Sequence, residues 1–174
     1  ALVFEPRLVL MDEPLGALDK NLREQMQYEI KHIHERIGIT VVYVTHDQSE
    51  ALTMSNRIAV FNDGVVQQLS TPNILYEKPA NSFVAEFIGE NNTMIGEVKE
   101  INGDLCKVDL EAGGSVEALK VNVNSVGDKT KLSVRPERVI INENNDSKNV
   151  FEGEVKELIY LGDHIRARLD LCGN

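Results

Sequence analysis

The first half of the chain alternates between two patterns of apolar residues. The unbroken apolar run at 8–11 predicts a buried strand over 7–12, and the run at 39–46, rich in β-branched residues, predicts a second buried strand. Between them, apolar residues recur every three or four positions, which predicts an amphipathic helix over 20–37 that ends at Gly38. The apolar stripe of this helix consists of Leu22, Met26, Ile30, Ile33 and Ile37.

Shorter elements continue to about residue 90. Residues 48–55 and 82–88 each have the length and pattern of a short helix, and the Thr-Pro pair at 71–72 is typical of a helix start. The Asp-Gly pair at 63–64 predicts a hairpin turn between two strands. Strands and helices that alternate at this spacing predict an α/β fold with a largely parallel sheet over 1–90.

The pattern changes near residue 93. From there on, short segments alternate apolar and polar residues, and Gly, Asn and Asp turns separate them. This arrangement predicts an all-β domain of the small-barrel type over 91–174. The sequence GENN at 89–92 marks the junction, and NENNDSKN at 142–149 is predicted to be an exposed loop of the second domain.

Charge and cysteine content narrow the class of protein. The 174 residues include 18 basic and 28 acidic ones, which gives a net charge of −10. Nucleic-acid phosphates require clustered Lys and Arg, so we expect no nucleic-acid partner. No apolar segment approaches the length of a membrane span, so we expect no direct membrane insertion. Cys106 and Cys172 are far apart, which is typical of free thiols in a reducing compartment.

Polar residues at the ends of the two predicted buried strands form the candidate site. Asp12 and Glu13 follow the first strand, and His46 ends the second. Ligands of open α/β sheets bind beyond the carboxyl ends of the strands. The carboxylate of Asp12 is suited to Mg²⁺, which prefers oxygen ligands. Glu13 is suited to polarising an attacking water, and His46 to hydrogen-bonding a transferring phosphoryl group.

Three motifs, in this order, resemble the ATP-binding cassette (ABC) family. LVLMDEP at 8–14 is similar to the Walker B strand of that family, and LGALD at 15–19 is similar to its D-loop. VYVTHDQSEAL at 42–52 resembles its switch-histidine segment. The spacing of 33 positions from Glu13 to His46 also fits the family. Three ordered motifs at a fitting distance are far more specific than an isolated Asp-Glu pair.

The resemblance implies a role for each motif residue. Asp12 would help to position Mg²⁺ in a Mg-ATP site, Glu13 would be the catalytic base, and His46 would contact the γ-phosphate. ATP and Mg²⁺ are therefore the implied cofactors. Asp19 would communicate across a homodimer that holds ATP between its subunits. The D-loop residues that the resemblance places at this dimer interface are Gly16, Ala17, Leu18 and Asp19, with glycine at a position where serine is common.

The second half resembles one branch of the family. FVAEFIGENNTMIGEV at 83–98 and LSVRPERV at 132–139 are similar to the linker and the OB-like TOBE domain of importer ATPases. TPNILYEKPANSFVAEFIGENN at 71–92 is most similar to the polyamine (spermidine/putrescine) importer subgroup. This likeness implies an ATPase subunit that energises transmembrane permease subunits from the cytoplasmic face of the inner membrane.

Other motifs of the family do not occur in these 174 residues. The phosphate-binding loop, the glutamine loop and the LSGGQ-type signature are all absent. The sequence therefore resembles an interior piece of a longer ATPase, with an incomplete β domain. We expect the chain alone not to hydrolyse ATP, because the missing loop supplies most of the phosphate contacts. We also expect a dimer or larger assembly, because an unpaired sheet edge pairs with another chain.

The sequence is also compatible with other functions and residue roles. The chain could be a non-catalytic regulatory or dimerisation module in which the carboxylates are relics. A cassette ATPase that acts on DNA is disfavoured by the acidic charge and by the lack of coiled-coil heptads. Arg135 is either structural in the β domain, which we favour, or part of a regulatory pocket. His32 and His34 flank the apolar stripe and are expected to be solvated.

Overall fold

The structure, a computed structural model, describes residues 4–141 and 148–171. The chain divides into two compact units between Pro79 and Ala80. Within the described residues, no helix is both long and apolar enough to cross a membrane.

The first unit combines short strands with one long and two short helices. Helix α1 begins and ends where the sequence predicts, and the other boundaries agree to within a few residues. In chain order the elements are β1 (Leu8–Asp12), α1 (Lys20–Ile37), β2 (Thr40–Val44), α2 (Gln48–Met54), β3 (Ile58–Asn62), β4 (Val65–Ser70) and α3 (Pro72–Glu77).

The strands of the first unit form two separate pairs. Strands β1 and β2 are parallel, in a register that places Leu8 opposite Thr40 and Asp12 opposite Val44. Strands β3 and β4 form an antiparallel hairpin, as the Asp-Gly turn predicts. The predicted parallel pairing is thus found between β1 and β2, and the predicted hairpin between β3 and β4. A two-residue turn returns the chain antiparallel, whereas a parallel pairing needs a long crossover such as α1.

Burial in this unit differs from the sequence prediction. Val9 is buried, but Leu10, Val42 and Val44 are exposed, although all four lie in the apolar runs. Alternate residues of a strand point to opposite faces, so one face of the two-stranded β1–β2 sheet is solvent-exposed in the described structure. The prediction that both strands are buried on both faces is thus wrong here. The two ends of the α1 stripe, Leu22 and Ile37, are also exposed.

The second unit is mostly antiparallel sheet, as predicted. Its core consists of valines with Cys106 and Leu132, and a 3₁₀ turn at Pro136–Arg138 is the one helical segment described after residue 87. In chain order the elements are α4 (Ser82–Phe87), β5 (Asn92–Asn102), β6 (Leu105–Leu110), β7 (Ser115–Leu119), β8 (Lys129–Val134), β9 (Gly153–Tyr160) and β10 (Ile165–Leu171).

Strand β5 organises the second unit. Its length allows it to pair with both β6 and β8, which gives a four-stranded sheet in the order β7-β6-β5-β8. Strands β9 and β10 form a separate hairpin. In the described residues the predicted barrel is thus an open sheet, because β7 and β8 lie at its two edges and do not pair with each other. A mixed helix and strand unit with an antiparallel sheet is consistent with an OB-like domain.

Two other predictions from the sequence concern side chains of this unit. Arg135 is buried, and its Nη1 donates hydrogen bonds to the backbone oxygens of Ala85 and Glu90, both at 3.0 Å. These bonds support the structural role for Arg135. Cys106 is a free, buried thiol whose pKa is raised by burial. Cys172 and most of the predicted 142–149 loop, residues 142–147, lie outside the described residues.

Candidate functional site

The parallel pairing of β1 and β2 brings the predicted site residues to one edge of the sheet. Asp12 is the last residue of β1 and lies opposite Val44, the last residue of β2. The backbone N–H of Glu13 extends this pairing and donates to the Val44 oxygen at 2.9 Å. Glu13 and His46 therefore both lie just beyond the carboxyl ends of the two strands, where ligands of such sheets bind.

Glu13 and His46 are in direct contact. Oε1 of Glu13 lies 3.0 Å from Nδ1 of His46, and both side chains are more than half exposed. Glu13 has a φ of +43°, a left-handed conformation that is uncommon outside glycine. Two backbone hydrogen bonds hold it there: its N–H donates to Val44, and its carbonyl accepts from the N–H of Gly16 at 3.2 Å.

The carboxylate of Glu13 perturbs the titration of His46. The hydrogen bond that His46 donates to Glu13 and the negative charge of Glu13 raise the pKa of His46, and the charges of Asp47 and Glu50 add to the effect. The imidazole of His46 therefore binds its proton more tightly in the folded chain than in the unfolded chain. The stabilising contribution of this pair is fully present below the unfolded histidine pKa, about 6.5. It is lost as the pH rises through the higher folded pKa.

The titration of His46 provides a direct test of this contact. We expect the ring protons of His46 in the 174-residue chain to titrate with a pKa above the ordinary histidine value of about 6.5. In the Glu13→Gln variant the His46 pKa should fall towards the ordinary histidine value, because the charged partner is lost. The measurement is an NMR pH titration. An unchanged His46 pKa in Glu13→Gln would show that the two side chains do not interact in solution.

Asp12 presents an oxygen ligand without a competing partner. Its side chain is exposed and makes no ion pair or hydrogen bond with the residues that the structure describes. No group of three or more His, Cys, Asp or Glu side chains that could hold a metal is found in those residues either. A single free carboxylate fits Mg²⁺, which commonly takes one or two carboxylates and fills its shell with waters and phosphates.

The predicted D-loop forms a tight turn anchored by Leu15, which is buried. The N–H of Leu18 donates to the Leu15 oxygen at 3.1 Å. Asp19 caps helix α1, because its Oδ1 accepts a hydrogen bond from the N–H of Leu22 at 3.1 Å. The site thus gives Asp19 a role within its own chain, and its role across a dimer stays a prediction.

Position 16 tolerates a larger residue than glycine. A Cβ placed at Gly16 would lie 3.5 Å from the Glu13 oxygen, which is an ordinary contact. The backbone of Gly16 lies outside the left-handed region. The serine that is common here in the ABC family would therefore fit without strain.

A buried polar cluster that the sequence pattern does not predict lies beside this site. Glu50 on α2 is 3% exposed, although it is charged. Its Oε2 accepts hydrogen bonds from the hydroxyls of Thr45, at 2.7 Å, and Tyr43, at 2.9 Å. Burial and this bond to Glu50 raise the pKa of Tyr43 above its ordinary value. Arg23 on α1 supplies the positive charge, with Nη1 3.1 Å from Asp47 Oδ2 and Nε 3.8 Å from Glu50 Oε1.

A sequence signal for this cluster exists at the start of α2. Asp47-Gln48-Ser49-Glu50 has the spacing of a capping box, in which the fourth residue returns to the cap. Asp47 does cap the helix and accepts from the N–H of Ser49 at 2.8 Å. Glu50 instead accepts hydrogen bonds from Tyr43 and Thr45. The local pattern therefore predicts where the helix begins but not that Glu50 is buried.

Comparison with known proteins finds a match for part of the second unit. Residues 132–174 match the sequence profile of the TOBE domain. The second unit therefore contains a TOBE-domain segment, consistent with its antiparallel sheet.

Nearly the whole chain is similar to spermidine/putrescine import ATP-binding proteins. It is 49% identical over 164 residues to the spermidine/putrescine import ATP-binding protein of Rubrobacter xylanophilus, covering 93% of this chain and 43% of the relative. For the proteins of that name from Pseudomonas aeruginosa and Thermotoga maritima, the identities are 48% over 166 residues and 41% over 176 residues. These alignments cover 94% and 98% of this chain, and 46% and 48% of the relatives.

The chain is thus homologous, over nearly its whole length, to spermidine/putrescine import ATP-binding proteins. The resemblance to the polyamine-importer subgroup that the motifs indicated is confirmed. The chain spans about half the length of the curated relatives it matches.

Proposed function

We propose that this chain is part of the ATP-hydrolysing subunit of an ABC importer that takes up polyamines. The observation that carries the proposal is the 3.0 Å contact between Glu13 and His46 at the carboxyl ends of two parallel strands. In this proposal, residues 1–90 are the carboxyl-terminal part of a P-loop ATPase domain, and residues 91–174 are a TOBE/OB-like domain. The printed names of the relatives, which describe ATP-binding import proteins, support it.

The chemistry of the pair suits hydrolysis of a phosphoanhydride. The exposed carboxylate of Glu13 accepts a proton from an attacking water and so acts as a general base. The contact between Nδ1 of His46 and Glu13 leaves Nε2 of the ring free to face a phosphate. Glu13 raises the pKa of His46. When His46 is protonated and donates to Glu13 through Nδ1, the ring carries a second N–H at Nε2. Its outer N–H then donates to the γ-phosphate as negative charge develops there.

Asp12 would take part in holding the Mg²⁺ of Mg-ATP. Its free carboxylate, one residue before Glu13, fits a shell that nucleotide phosphates and waters complete. Bound Mg²⁺ neutralises phosphate charge and so assists the transfer of the phosphoryl group. Asp12 itself would hold the ion at the strand end, while Glu13 would accept a proton from the attacking water.

The proposal includes the partners and the location that an importer ATPase needs. Two copies would form a homodimer with their D-loops, residues 16–19, at the interface. The dimer would act on transmembrane permease subunits from the cytoplasmic face of the inner membrane. The exposed position of this loop in the first unit supports such an interface, since Gly16, Ala17 and Asp19 are all exposed.

A chimera tests this function. Residues 1–174 would replace the matching segment of the Rubrobacter xylanophilus relative, so that its remaining residues supply the rest of an ATP-binding protein. We expect the purified chimera to hydrolyse Mg-ATP above the background set by the 174-residue chain alone. We expect Asp12→Asn to raise the Mg²⁺ concentration needed for half-maximal turnover, because the oxygen ligand is weakened.

The chimera also separates the two functional hypotheses. Vesicles that contain the chimera and the relative's permease subunits should take up spermidine when ATP is supplied. A chimera that is folded, by circular dichroism, but without turnover would contradict the proposal. That result would favour the non-catalytic regulatory or dimerisation module.

A further inference from the structure

The side chain of Arg23 connects two segments of the site that are distant in sequence. Its Nη2 donates to the backbone oxygen of Leu18 at 3.0 Å, and its Nη1 donates to Oδ2 of Asp47 at 3.1 Å. Its Nε lies 3.8 Å from Oε1 of Glu50. The guanidinium therefore faces the end of the D-loop on one side and the start of α2 on the other.

The residues on both sides of His46 belong to the same network. The N–H of Asp47 donates to Oγ1 of Thr45 at 2.9 Å, which closes a tight turn around His46. The hydroxyl of Thr45 in turn donates to Glu50 at 2.7 Å. The backbone that carries His46 is thus fixed by contacts that converge on Arg23 and Glu50.

On the other side, Leu18 immediately precedes Asp19, the cap of α1. A hydrogen bond to the Leu18 oxygen fixes the end of the loop that the proposed dimer would contact. We propose that Arg23 is a positioning residue that couples the D-loop, through Asp47, to the segment that carries His46. The effect of Arg23 on hydrolysis rests on the proposed function. The structural link rests only on the distances from Arg23 to Leu18 and Asp47.

Arginine serves two separable purposes at this position. Its positive charge compensates the buried carboxylate of Glu50, which would otherwise be costly to bury. Its planar fork also reaches Leu18 and Asp47 at the same time with two different nitrogens. Lysine keeps the charge but is a compact point donor without the fork. The Arg23→Lys variant therefore preserves charge compensation and removes the two-sided link.

Hydrogen exchange tests the link without any nucleotide. In the 174-residue chain, the reporters are the amides of Leu18 and Asp47, which donate to Leu15 and Thr45. We expect both amides to exchange about 10-fold faster in Arg23→Lys, since hydrogen bonds to charged groups are each worth roughly a factor of ten or more. Arg36→Gln, an exposed arginine in the last turn of α1, is the matched control and should leave both rates unchanged.

Kinetics of the chimera test the consequence for hydrolysis. We expect Arg23→Lys to lower kcat about 10-fold with the KM for Mg-ATP unchanged, because the strand-end residues still bind but are less well aligned. If Arg23 is merely structural, Arg23→Lys should instead keep both the kcat and the thermal stability of the unaltered chimera. Arg23→Gln, which loses the charge as well, should lower both kcat and Tm.

The outcomes separate this inference from the proposed function. If the wild-type chimera is active and Arg23→Lys matches Arg36→Gln in exchange and in kcat, the positioning role is overturned and the proposed function stands. If the wild-type chimera is inactive, the proposed function fails. The exchange rates of the Leu18 and Asp47 amides then decide by themselves whether Arg23 couples the two segments. Faster exchange at Leu18 but not at Asp47 would also overturn it, because the two segments would not be coupled.

Discussion

Replacing Glu13 with glutamine should lower the rate of Mg-ATP hydrolysis by the chimera about 100- to 10,000-fold, the range that a general base contributes. Glutamine has nearly the same shape as glutamate but cannot accept the proton of the attacking water. Backbone hydrogen bonds to Val44 and Gly16, rather than the carboxylate, hold Glu13 in place, so the turn should survive the change. Binding of Mg-ATP should therefore persist while turnover is lost.

The measurement combines steady-state hydrolysis with nucleotide binding by calorimetry. Glu29→Gln is the matched control, because Glu29 is an exposed acid in the middle of α1, remote in sequence from Glu13 and His46. Its turnover should equal that of the unaltered chimera. A Glu13→Gln chimera that keeps more than a tenth of the turnover would exclude Glu13 as the base. Loss of binding together with turnover would instead indicate a collapsed site.

The second large effect concerns the core of the β unit. Gly96→Ala should destabilise that unit by about 1–3 kcal/mol, the typical cost of forcing an extra group into a packed site. A Cβ at Gly96 would lie 2.4 Å from the backbone oxygen of Asp109 and 2.6 Å from a methyl group of Val108. The first of these atoms belongs to the paired strand β6 and cannot rotate away. Strand β5 must therefore shift at the position where it pairs with both β6 and β8.

Thiol reactivity provides a local measurement of this effect. Cys106 is buried in the same core, so its reaction with a thiol reagent during heating follows the unfolding of this unit. The experiment uses a Cys172→Ser background, which leaves one cysteine. For a unit of this size, Tm should fall by about 4–8 °C for each kcal/mol lost. Gly16→Ala, where the added Cβ makes only ordinary contacts, should leave Tm unchanged. Equal Tm values for both variants would contradict the packing argument.

The local elements of this chain could be predicted with good accuracy from sequence. Helix α1 has its Asp19 cap and its Gly38 stop where pattern and capping rules place them, with Gly38 at a φ of +71°. The hairpin at Asp63-Gly64 and the change to an all-β pattern after residue 93 are also confirmed. These features depend on residues a few positions apart, whose geometry the backbone itself restricts.

The candidate site was predictable in part. The motif residues Asp12, Glu13 and His46 were identified from order and spacing, and the structure places them at one edge of the sheet. The roles of these residues in ATP hydrolysis remain predictions. Arg23 and Glu50 were missed because each is an ordinary charged residue on a helix surface in the sequence, and only packing reveals that Glu50 is buried.

By itself, the sequence determined the element order, the change from α/β to all-β, and the kinship with polyamine import ATP-binding proteins. These depend on local pattern and on motif identity. Tertiary structure alone decided which strands pair, which faces of the apolar runs are covered and how Arg23 reaches both Leu18 and Asp47. The physical reason is that pairing, burial and charge compensation are set by residues far apart in the chain, whose approach no local propensity encodes.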